Sequence, residues 1–137
     1  MMRIAFAIAA AAVAMPAAAA DITGVWATGT EGGRVEIYKC GSALCGRVVD
    51  ASRLRANPDL RDVRNSDPAL RQRKLKGLVV LKGFTGGPRE WKGGPVYDPE
   101  SGDGAPKGQL KLLPSGKLEL KGCVVFFCRT KIWTRAG

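Results

Sequence analysis

The chain has 137 residues, with 22 Lys and Arg against 12 Asp and Glu, no His, and a net charge of +10. The lack of His excludes imidazole acid–base catalysis, Ser-His-Asp triads and His-ligated metals. The charge favours acidic partners such as anionic lipid, lipopolysaccharide or acidic polysaccharide, although a solvated basic face has the same composition.

The first residues read as a secretory leader. Arg3 supplies the positive start, Ile4 to Ala14 the apolar run, and Ala18-Ala19-Ala20 a small-residue cleavage site before Asp21. The apolar run is too short to span a membrane, and no later stretch reaches the required length, so no transmembrane segment is expected. Residues 1–20 are therefore assigned to the leader and 21–137 to one domain of net charge +9, since only Arg3 is removed. Export makes nucleic acid an unexpected partner. It also places Cys40, Cys45, Cys123 and Cys128 in an oxidising compartment. Their two C-x4-C pairs then predict two local disulfides. A four-thiolate zinc site is the alternative by ligand type, and export and the missing His weigh against it.

Short alternating segments follow. Gly24 to Thr28 is a first strand and Glu31-Gly32-Gly33 a turn. Arg34 to Cys40 and Cys45 to Asp50 form a hairpin across Gly41 to Leu44. Setting Cys40 opposite Cys45 puts Ile37 opposite Val48 and Tyr38 opposite Arg47. Apolar residues then share one face, and the cysteines, Tyr38 and Arg47 the other. Asp50 to Leu81 begins as a long basic connector carrying Arg53, Arg55, Arg61, Arg64, Arg71, Arg73 and Lys74. Within it, Asp67 before Pro68 predicts a helix N-cap with Pro at N1, and helical turns over Pro68 to Leu75.

Leu78 to Phe84 is the most apolar strand. Arg89 to Lys92 and Pro95 to Asp98 read as a hairpin across Gly93-Gly94, and Asp98 to Gly104 as an open loop. Gln109 to Leu113 and Lys117 to Lys121 pair across Pro114-Ser115-Gly116, with Leu110 opposite Leu120, Leu112 opposite Leu118, and Lys111 opposite Glu119. Arg129 to Arg135 is the last strand. The apolar tip before it, Val124 to Phe127, is expected to fold inward as a plug, an exposed anchor being the alternative. Eight or nine evenly spaced strands predict an all-β fold. Their nearest-neighbour order favours a single antiparallel up-and-down β-barrel of about eight strands, with one long connector carrying a short helix.

Several runs carry a family resemblance. They are Gly24-x-Trp26; Val35-Glu36-Ile37-Tyr38-x-Cys40-Gly41-x-x-Leu44-Cys45-Gly46-Arg47-Val48; Asp62-x-x-Asn65-x-Asp67-Pro68-x-Leu70-Arg71-x-Arg73; Gly77-Leu78; Trp91-x-Gly93-Gly94-x-Val96-Tyr97-Asp98-Pro99; and Trp133-Thr134-Arg135. In this order they resemble the DUF2147 family of small exported bacterial proteins. The resemblance implies a lipocalin-like β-barrel and no assigned activity. The chain departs from the family at Gly102-Asp103-Gly104-Ala105-Pro106, where a Gly-Lys-x-Tyr run is usual. Lipocalins open with Gly-x-Trp and lay an Arg of the last strand across the indole, so Gly24, Trp26 and Arg135 (or Arg129) are the expected base of the barrel.

The candidate ligand residues are Asp62, Asn65, Arg71 and Arg73, which would make the connector a lid holding an anionic group, and Trp91 and Tyr97, which would line an apolar pocket. Solvated arginines and core aromatics are the competing structural roles. Asp62, Asp67, Asp98 and Asp103 fit turns and caps better than paired catalytic carboxylates. No catalytic residue, metal or cofactor is therefore expected. The function predicted is a non-catalytic exported barrel holding one small anionic or amphipathic ligand. The alternative is an envelope-associated interaction protein with a filled barrel and a basic binding surface.

Overall fold

The computed structural model describes residues 21–136; the expected leader, 1–20, lies outside the described residues. The strands are β1 (Gly24–Ala27), β2 (Arg34–Cys40), β3 (Ala43–Asp50), β4 (Val79–Gly86), β5 (Glu90–Gly93), β6 (Val96–Asp98), β7 (Asp103–Ala105), β8 (Lys107–Leu112), β9 (Leu118–Val124) and β10 (Phe127–Arg135). The connector after β3 carries a short helix, α1 (Ser52–Ala56), and a single 3-10 turn at Pro68–Leu70. Asp67 caps that turn as expected, accepting from the Ala69 amide at 3.0 Å, with Pro68 at its start. The turn ends five residues short of the predicted Leu75, because the chain then reverses to pair Arg61 with Lys74.

The sheet runs β3-β2-β1-β10-β9-β8-β5-β4, and the additional pairing of β3 with β4 closes it into a ring of antiparallel strands. Register explains the two strands left over. Leu81 pairs with Val96 in step with Phe84 and Gly93, so β6 continues β5. Likewise Val96 pairs with Ala105 in step with Gly93 and Gly108, so β8 continues β7. Eight long strands therefore make an up-and-down barrel, as the meander predicted.

The Gly93-Gly94 hairpin does not form. The chain bends there without reversing, because Gly94 lies so close to β4 that a Cβ would overlap the Lys82 carbonyl. The reversal comes instead at residues 99–102, inside the expected open loop. The β2–β3 register also differs, with Cys40 opposite Ala43 and Tyr38 opposite Cys45. This shift of two residues preserves the faces, since side chains alternate with period two. Val35, Ile37, Leu44 and Val48 still point inward, and Arg47 still lies over Tyr38, 4.5 Å from the ring centre. The β8–β9 pairs are those expected. Both local disulfides are present, Cys40–Cys45 and Cys123–Cys128, which removes the zinc alternative.

Strand directions define two ends. One end, the base, carries the turns at 41–42, 87–89 and 113–117 and both ends of the described chain. Here Trp26, Ile37, Leu44, Phe84, Leu110 and Leu118 fill the interior, each 2% exposed or less. Arg135 closes the base from outside. Its guanidinium lies 4.1 Å from the Trp26 ring centre and donates to the Thr23 and Asp21 carbonyls, each at 2.7 Å. Gly24 makes room for it, since a Cβ there would meet Arg135 Nη1 at 3.1 Å. The Arg partner of the indole is therefore Arg135; Arg129 lies at the other end, over Phe127.

Candidate ligand site

The other end is the mouth, where the turn at 28–33, the connector, the turn at 99–102 and the β9–β10 tip converge. The connector is fixed there by burial of Leu54, Leu75 and the carboxylate of Asp62. Asp62 accepts from Tyr97 Oη at 2.6 Å, Asn65 Nδ2 at 2.9 Å and Arg73 Nη2 at 3.1 Å. Its backbone N–H donates to the Arg73 carbonyl at 2.8 Å, tying the two legs of the connector together. Asn65 Oδ1 accepts from the Asp67 amide and the Asn65 carbonyl from Arg71 Nε, each at 2.8 Å. Burial and the Asp62 hydrogen bond push the Tyr97 phenol well above its ordinary range, so it remains a donor. The buried charge is thus paired with Arg73 and its acceptor sites are used, which is what makes such burial tolerable.

Five of the six predicted ligand residues therefore meet, but principally with each other. Asp62, Asn65, Arg71, Arg73 and Tyr97 form an internal girder. Trp91 lies apart, toward the base, paired with Leu110 and packed on the core. The close approach extends to Gly102, where a Cβ would overlap the Arg64 carbonyl and where the Ser66 amide reaches the Gly102 carbonyl at 2.9 Å.

A second ionic cluster straps the rim. Arg64 Nη1 meets Glu100 Oε2 at 3.0 Å and Glu31 Oε2 at 3.6 Å, and Arg53 reaches the same two carboxylates. Burial and the neighbouring Glu31 raise the Glu100 carboxyl, while the hydrogen bond from Glu100 lowers that of Glu31. Across the mouth, Lys131 Nζ binds Asp98 Oδ2 at 2.7 Å. Partial burial pushes Asp98 up, but Lys131 and the Glu100 amide outweigh it and hold the carboxyl below its ordinary 3.8.

Between these straps and the filled base lies a cavity of ≈ 400 Å³. Its walls are Val35, Val48, Leu75, Val80, Val96, Leu120 and Trp133, and its rim includes Arg34, Asp50, Asp98, Glu100, Asp103, Arg129 and Lys131. Most rim charges are spent: Asp50 on Arg55, Asp98 on Lys131, and Glu100 on Arg64. Among the described residues Arg34, Arg129 and Asp103 are in no ion pair, so the unpaired rim charges are two cations and one anion. Trp133 and Trp91 also each keep a buried indole N–H without an acceptor among the described residues. A second hollow of ≈ 720 Å³ lies between the connector and β4 and β6, lined by Arg73, Lys74, Lys76 and Lys82.

The tip above the cavity does not fold inward. Val124, Val125, Phe126 and Phe127 are 46%, 84%, 100% and 62% exposed, so the expected plug is absent. The barrel pairing of β9 with β8 stops at Cys123, and the hairpin continues past the rim, where no strand among the described residues lies across it to cover the four side chains. The strand alternation could have revealed Arg129, since residues 127, 129, 131 and 133 share the inner face of β10.

A closed antiparallel barrel with a filled base, an Arg-capped Trp and a hollow mouth is a lipocalin-like fold. A solved structure is similar over the same extent: "Protein HP1028 from the human pathogen Helicobacter pylori belongs to the lipocalin family". It matches with TM-score 0.70 and 22% identity, over 85% of this chain and 84% of that one, and the likeness is one of fold. The profile described as "Uncharacterized protein conserved in bacteria (DUF2147)" matches residues 24–135, and the chain belongs to that family. Among curated proteins, none matches.

Proposed function

We propose that this protein is a non-catalytic binding barrel that acts outside the cytoplasm and holds one small amphipathic anion at its mouth. One observation carries the reading: the barrel is only half filled, and its ≈ 400 Å³ cavity has an apolar floor beneath a rim on which Arg34 and Arg129 are uncommitted, against the single uncommitted acid Asp103. That volume falls in the range of about 300–1,000 Å³ usual for small-ligand sites, and apolar walls with a few polar groups are their usual chemistry. The lipocalin-like fold supports the reading, and the two disulfides support an oxidising location.

The anion contact moves from Arg71, which is engaged with the Asn65 carbonyl, to Arg129 on β10. Calorimetric titration with decanoate and with neutral decanol tests this. Decanoate binds the wild-type chain more tightly, and Arg129→Ala weakens it about tenfold, the magnitude of one charge-assisted hydrogen bond. Arg129→Lys falls between, keeping charge without the planar fork. Ala105→Phe, which fills the mouth, blocks both ligands. Decanoate binding that neither Arg129→Ala nor Ala105→Phe alters would refute the site.

A further inference from the structure

We propose that the β9–β10 tip is an anchor that docks the protein on the surface of an anionic lipid bilayer. Val125 and Phe126 form the turn, and Phe126 is fully exposed. Val125 sits at φ 48°, a left-handed conformation that a β-branched residue rarely adopts. An Asn or Gly would form this turn with less strain, so an apolar pair here points to a use for the side chains rather than for the turn. Directly beneath, Cys123 pairs with Cys128 and their disulfide holds the projecting arms together.

Charge selects the partner. Lys107 lies opposite Cys123, Lys121 opposite Thr130 and Arg129 opposite Gly122, so three cations that are in no ion pair among the described residues stand beside the tip, and residues 120–130 carry no carboxylate side chain. Exposed aromatic and aliphatic groups flanked by cations are the composition of segments that seat in the headgroup region of anionic membranes. Val124 and Phe127 also line the cavity, so anchoring at the tip turns the mouth toward the lipid. The anchor does not require that the cavity take a ligand.

The test is sedimentation of the chain from Asp21, disulfides intact, with vesicles of equal parts phosphatidylcholine and phosphatidylglycerol, or of phosphatidylcholine alone. The expected result is binding to the anionic vesicles that weakens as salt is raised. Phe126→Ser lowers it about tenfold or more, and Lys121→Gln about fivefold, with unchanged melting temperatures. Binding that Phe126→Ser leaves intact would mean charge alone and would overturn the anchor. So would the absence of vesicle binding, or a dimer in solution that Phe126→Ser dissolves while vesicles are ignored.

Discussion

Asp62 shows how one buried residue organises the long connector. Its side chain is fully buried while that of Arg73 is 40% exposed, so the pair is screened on one side only. Asp62→Ala leaves the Tyr97 hydroxyl, the Asn65 amide and Arg73 without their acceptor. The expected cost is about 3 kcal/mol, or roughly 10–15 °C in the thermal melt. Arg71→Ala removes one hydrogen bond to the Asn65 carbonyl; it lowers the melt by a few degrees and leaves decanoate affinity unchanged. A loss of affinity with no change in melting would restore Arg71 as a ligand contact. The sequence associates these residues correctly, because Asp, Asn and Arg close together in a connector seek each other as well as a ligand. Which of the two they find depends on Tyr97, which lies 35 residues beyond Asp62 and reaches it only through the folded barrel.

At the scale of elements, legibility followed the clarity of the turn. Pro114-Ser115-Gly116 between alternating strands fixed its register to the residue, and Asp67-Pro68 marked its cap. Gly93-Gly94 misled, because the same residues that permit a reversal also permit close backbone approach, and only the neighbouring strand decides between them. α1 left no signal, since Ala51 contributes no side-chain cap and its first turn holds no acid. The elements at the mouth are joined by the Asp98–Lys131 pair, which links the end of β6 to β10. Because the folded carboxyl is held below its ordinary value, its contribution is present above the unfolded value near pH 4 and is lost as pH falls through the lower folded value. Melting temperatures of wild type and Asp98→Asn should differ by a constant amount from pH 7 down to about pH 4 and converge below it. A gap that persists to about pH 2 would mean that the contact is not ionic.

For the whole molecule, the barrel follows from composition and strand order: an even meander with apolar alternation buries a core best by closing on itself. The division into a filled base and a hollow mouth was not legible. It arises because large side chains, among them Trp26, Phe84, Leu110 and Leu118, meet at the base, whereas the mouth is lined by Val35, Val48, Val80 and Ala105. Three tryptophans report on this division: Trp26 in the base, Trp91 packed on the core near it, and Trp133 in the cavity wall. The most direct test is therefore the NMR spectrum of the labelled chain as decanoate is added. The Trp133 indole resonance and the methyls of Val35, Val48 and Leu120 are expected to shift together while the Trp26 and Trp91 indoles stay fixed. Shifts centred instead on Lys74, Lys76 and Lys82, or on Trp91 with Trp133 unmoved, would contradict this.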